Sequence, residues 1–161
     1  MQSRFKLHLV RLAVLTIGAS VFASAAVAQS GSAEQKAVEE RQALFKEIEK
    51  TFKPVGEMLK RKQPYDAALV EQSATQLQPL AKKIPDAFTV DTTKAKDIKT
   101  KARDNIWTNM PDFKAKADNL VKALAGLSEA AKAGDEKAFR PAAIAVGRAC
   151  SGCHDNYKDS D

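Results

Sequence analysis

Apolar residues return along this chain at steps of three and four in four separate stretches, a spacing that suits helices packed on their apolar sides. The first stretch runs from about residue 33 to 60 and puts Val38, Phe45, Ile48, Phe52, Val55 and Leu59 on one stripe. Pro54 lies inside it and should bend the helix, because proline removes an amide donor and crowds the preceding turn. Gln63-Pro64-Tyr65-Asp66 is a turn, with Asp66 placed to cap a second helix that reaches about residue 83 and carries Leu69, Leu77, Leu80 and Ile84. Pro79 predicts a kink or an early end there. From 85 to about 109 the periodicity disappears in a polar segment rich in Thr and Lys, the long connection of the fold. A third helix begins near Pro111, a residue suited to a first helical turn, and runs to 133 with Phe113, Leu120, Val121, Leu124 and Leu127 inward. Gly134 ends it, and Asp135 caps a fourth helix to about residue 157, with Phe139, Ile144, Val146 and the cysteine segment inward. Pro141 either opens this helix or bends it. The expected fold is all-α, an antiparallel four-helix bundle with one long connection. Seven Gly and six Pro are too few for a β chain of this length that must turn about every ten residues.

The first 28 residues stand apart from that pattern. Arg4, Lys6 and Arg11 make a cationic start, an apolar run follows, and Ala26-Val27-Ala28 is a small-x-small cleavage site before Gln29. The segment reads as a secretory signal over residues 1–28, cleaved after Ala28, with the folded domain at 29–161. Removing the leader's three basic residues from the total of 26 leaves 23 against 20 acidic ones, so the mature charge is about +3. Charges of both signs alternate along the helices, which argues against a nucleic-acid or lipid stripe. His8 leaves with the leader, so His154 is the single histidine of the mature chain, immediately after its only cysteines, Cys150 and Cys153.

Cys150-Ser151-Gly152-Cys153-His154 has the spacing of c-type haem attachment: two thiols add to the two vinyl groups, and the neighbouring imidazole coordinates the iron. On a helix the three side chains at i, i+3 and i+4 share a face, so they can act on one porphyrin. A structural zinc site would need about four ligands, and the mature chain offers three of the usual soft kind within five residues. A redox-active disulfide belongs with a βαβ context that this pattern lacks. A haem-free helical binding protein with a disulfide is a third candidate. The sixth iron position is open to two readings. If Met58 or Met110 coordinates there, the site is a closed electron carrier of raised potential; if neither does, the iron can take a small gas.

Beyond the haem motif, Arg41-Gln42, Pro64-Tyr65-Asp66-Ala67-Ala68, Ile106-Trp107, Phe113, Gly147 and the closing Asp155-Asn156-Tyr157-Lys158 resemble the cytochrome c′ family over essentially the whole mature chain. The resemblance implies one covalent haem c per chain, held by Cys150 and Cys153, with His154 as the iron ligand. In methionine-ligated, low-spin relatives the second ligand comes from the position of Phe45, four residues after Arg41. Phenylalanine cannot ligate iron, so the resemblance implies a five-coordinate, high-spin haem under an aromatic lid. It also implies that Arg41 and Gln42 lie near the haem propionates and that Trp107 packs at the haem edge. Lys158, where the family usually has arginine, either screens the proximal face or complements the helix end. The expected activity is binding of NO and CO with discrimination against dioxygen, together with electron exchange with an unidentified protein. A homodimer through the first two helices and a periplasmic location follow from the family and the leader. No acid–base pair for catalytic turnover accompanies the motif, so an enzyme is not expected.

Overall fold

The computed structural model describes residues 32–160. The secretory signal expected over residues 1–28, its cleavage after Ala28 and His8 lie outside the described residues. Helix α1 spans Ala33–Leu59, α2 Ala67–Lys82, α3 Asn105–Thr108, α4 Met110–Lys132 and α5 Glu136–Tyr157. The four long helices are those expected, and a short fifth, α3, falls in the long connection.

Their ends follow local chemistry. Ser32 accepts from the Gln35 amide at the start of α1, Asp66 from Leu69 at the start of α2, and Asp135 from Lys137 at the start of α5, so each satisfies an otherwise orphaned first-turn donor. Gly134 adopts φ +65° and turns the chain between α4 and α5, a conformation that costs glycine little. The early end allowed for at Pro79 does not occur, and Pro141 lies inside its helix rather than opening it. Pro54, Pro79 and Pro141 all lie inside continuous helices. Pro79 and Pro141 are exposed, so water can solvate the carbonyl each leaves unpaired.

Helix α2 packs against α1 and α4, and α4 against α5, whereas α1 meets α5 only sparsely. The core is built from α2, α4 and α5: Val70, Leu77, Phe113, Leu124, Leu127, Phe139 and Val146 are buried. On the α1 stripe Val38 and Val55 are buried, while Phe45, Ile48, Phe52 and Leu59 are half-buried. One inward assignment is corrected. Ile144 is 39% exposed, because the buried line of α5 runs through Phe139, Ala143 and Val146, and Ile144 lies one residue, about 100°, around the helix from it.

The long connection is ordered rather than featureless. It forms a 3-10 turn at Asp86–Phe88 and then α3, and Phe88 and Ile106 from these two pieces are buried. Among the described residues no helix is long and apolar enough to cross a membrane.

The burial pattern predicts unequal responses along α5. Phe139→Ala should cost about 3–5 kcal/mol of unfolding free energy, while Ile144→Ser should stay within about 0.5 kcal/mol of the parent, both measured by urea denaturation.

Candidate cofactor site

Where α1 and α5 draw apart, the bundle encloses a cavity of about 1060 Å³, at the upper end of the range of about 300–1,000 Å³ usual for ligand pockets. Its walls are mainly apolar side chains of α1, α2 and α4, including Val38, Phe52, Leu77, Phe113 and Leu124. Cys150, Cys153 and His154 line it from α5. Their spacing of three and four residues within one unbroken helix brings all three to the same wall.

The electrostatics of this turn suit its donor set. Burial pushes the Cys150 thiol up and the Cys153 thiol up to about 11, so both are neutral thiols at physiological pH. Both cysteines are free. Redox-active cysteines show the opposite shift, toward the thiolate, which counts against the disulfide candidate. Burial, reinforced by Lys158, lowers the His154 pKa, with Asp155 opposing. The shift favours the neutral imidazole, which offers a lone pair for a metal. Among the described residues no cluster of three or more His, Cys, Asp or Glu is placed to hold a bare metal ion, which counts against the zinc candidate. A porphyrin supplies most of its own iron ligands and needs from the protein only the imidazole, two thiols and an apolar slot. The residues present fit that requirement.

The remaining expected site residues separate into two groups. Phe45, Gln42, Arg41 and Lys158 line the cavity. Trp107 does not; it stands behind Phe88, with ring centroids 6.2 Å apart, and donates its indole N–H to the Phe88 carbonyl at 2.9 Å. Lys158 follows the last turn of α5, where its amide donates to the His154 carbonyl. Gln42 donates to the Lys99 carbonyl at 3.0 Å, joining α1 to the strip of connection that closes the cavity's side. Met58 and Met110, the alternative iron ligands, do not line this cavity. Met58 borders a separate, smaller one with Tyr65 and Phe139.

Arg41 is no solvated charge. It is 3% exposed, donates Nε to the Ala87 carbonyl at 2.6 Å and Nη1 to the Thr92 hydroxyl at 3.0 Å, and also donates Nη2 to the Val90 carbonyl. Its guanidinium carbon lies 4.6 Å from the Phe88 ring centroid and 5.2 Å from that of Trp107. Burial lowers its pKa, with Asp91 opposing.

The sequence alone gave no sign of two further groups that secure the α5 wall. Arg103, from the connection, donates to Asp159 at 3.0 Å and to the Asp155 carbonyl at 2.9 Å, while its backbone amide donates to the Tyr157 carbonyl. Tyr157 donates to Asp112 at 2.6 Å and accepts from Asn109 at 3.0 Å, tying α5 to the start of α4. Their partners are distant in sequence, so only the motif's position near a helix end could have hinted at such bracing.

Two expected outcomes follow from these networks. Arg41→Lys keeps the charge but loses the planar fork, and should lower unfolding free energy by roughly 2 kcal/mol, read from urea midpoints. Burial, then the Asp112 hydrogen bond, raises the Tyr157 pKa from 10.0 to about 12. The stability this shift contributes is present below pH 10 and is lost as the pH rises through 12. Tyr157→Phe should flatten that alkaline loss when melting is followed between those limits.

The family profile described as Cytochrome C' matches residues 36–158. Cytochrome c' of Cereibacter sphaeroides is 34% identical over 149 residues, which are 92% of this chain and 97% of that protein. Cytochrome c prime from Shewanella frigidimarina superposes with a TM-score of 0.72 at 33% identity, covering 81% of this chain and 99% of its own. A ferrous variant of cytochrome c prime from Alcaligenes xylosoxidans with bound NO does so with a TM-score of 0.71 at 30% identity, over 81% and 99%.

Proposed function

The chain belongs to the cytochrome c′ family and carries haem c, and from that premise we propose that it is a periplasmic protein with a five-coordinate, high-spin haem that binds NO and CO and exchanges electrons. When bound, the haem would supply an iron able to exchange one electron and to bind a small diatomic gas. Cys150 and Cys153 would hold the group by thioether bonds, and His154, whose pKa is lowered by partial desolvation, would ligate the iron.

The observation that carries the vacant sixth position is the composition of the α1 wall. Phe45, not a thioether, faces the cavity there, and neither Met58 nor Met110 lines it. Phe45, Ile48 and Phe52 present no hydrogen-bond donor, and the Gln42 amide is drawn to the Lys99 carbonyl. Bound dioxygen, which carries partial negative charge, gains nothing from such a wall, whereas CO and NO depend less on a donor. Discrimination is then by shape and polarity together. Lys99, Lys101 and Lys158 line the same cavity, and their cationic side chains suit the propionates expected near Arg41 and Gln42. The leader supports export to the periplasm, and the family relationship supports a homodimer through α1 and α2.

The optical spectrum of the reduced protein should be high-spin and should shift on adding CO. Phe45→Ala should raise the CO association rate on the order of tenfold, the equivalent of ~1.4 kcal/mol of barrier. A low-spin spectrum indifferent to CO would instead assign the sixth position to a protein ligand.

A further inference from the structure

Phe88 ends the 3-10 turn, is 4% exposed and lines the cavity. Its ring meets that of Phe45 edge-on, with centroids 6.2 Å apart and planes at 65°. It is also in contact with Phe113 at 4.8 Å, Trp107 at 6.2 Å and the Arg41 guanidinium at 4.6 Å. The backbone under it is held as well, because Arg41 engages the Ala87 and Val90 carbonyls and Trp107 engages that of Phe88. The two rings therefore differ in freedom. Phe88 is buried and held by several ring and backbone contacts, while Phe45 is half-buried on the helix that meets α5 only sparsely.

We propose that Phe88 is a positioning residue that braces the Phe45 ring over the cavity and thereby sets how fast a diatomic gas enters, an inference that rests on the lid role proposed above for Phe45. To swing aside, Phe45 must give up its edge-on contact with a ring that its other contacts hold in place. The barrier to entry then contains the energy of that aromatic pair in addition to the bulk of the lid itself. Phe88 acts through Phe45 and needs no contact with the gas.

A double-mutant cycle on the haem-loaded, reduced protein separates this role from a general loosening of the fold. CO association is measured by flash photolysis for the parent, Phe88→Leu, Phe45→Ala and the double variant. Phe88→Leu should speed binding about two- to tenfold, the rate equivalent of one aromatic pair, and should have no effect once Phe45 is alanine. The same acceleration in both backgrounds, or none in the parent, overturns the brace while leaving the lid in place. An unchanged rate in Phe45→Ala removes the lid, and the brace with it. Phe88→Met, which fills similar space with a flexible chain, replaces the leucine variant if that one folds poorly. Urea unfolding of the same four proteins gives a readout independent of any gas: coupled, non-additive losses are expected, and simple additivity overturns the contact.

Discussion

Arg41 supplies the contact on which the shape of the cavity depends. A helix bundle ordinarily closes by packing each apolar stripe against its neighbours, but here α1 stays apart from α5 along the stretch that carries Phe45, Ile48 and Phe52. Helix α1 is then held by its packing on α2 and by its ties to the connection. The Arg41 guanidinium makes the second tie by donating to two carbonyls and a hydroxyl of residues 87–92, within 4.6 Å of the Phe88 ring centroid and 5.2 Å of that of Trp107. Burying an arginine is costly unless its donors are met. Here they are met largely by backbone, so the charge serves as a three-way connector for the 3-10 turn at Asp86–Phe88 and the irregular chain that follows it.

The α5 wall is secured by a different device. It ends in a segment whose outward groups are laced to the connection by Arg103 and to α4 by Tyr157. Cys150, Cys153 and His154 thus project from a helix whose last turns are tethered on two sides. A covalent attachment needs such constancy, because two thiols three residues apart must meet two fixed carbons of one planar ring. The neutral thiols and neutral imidazole belong to the same design: desolvation by the apolar walls suppresses thiolate chemistry and leaves the histidine free to act as a ligand.

The helices were legible because period and caps agree: Asp66, Gly134 and Asp135 mark ends that the backbone then adopts. Ile144 was misplaced for a physical reason. The buried line of α5 passes through Ala143, and a small residue on the inner face carries no weight in a pattern drawn from large apolar side chains. Pro79 does not end its helix early, because it faces solvent and water can satisfy the carbonyl it leaves unpaired. The cofactor turn was readable since its chemistry is local, five residues on one helical face. The role of Arg41 was not. Its partners lie 46 to 51 residues away in a stretch without periodicity, and an arginine on an amphipathic helix gives no local sign of being buried. Phe88 was hidden by the same absence of pattern, although it joins walls from α1 and α4 through Phe45 and Phe113.

The division of labour between the two walls favours α1 over α4 as the side for the proposed lid. Helix α4 packs closely on α5, and Phe113, which lines the cavity from α4, meets the Tyr157 ring edge-on at 5.3 Å. Displacing a side chain on that side would disturb the tethered helix that carries the ligand turn. On α1 the equivalent displacement disturbs little packing, since Phe45 and Ile48 are half-buried and face the cavity rather than another helix. A fold that admits a small molecule by moving one aromatic ring does so at least expense on its least-packed wall. Entry can then be tuned by the rings that flank the lid without altering the geometry of Cys150, Cys153 and His154.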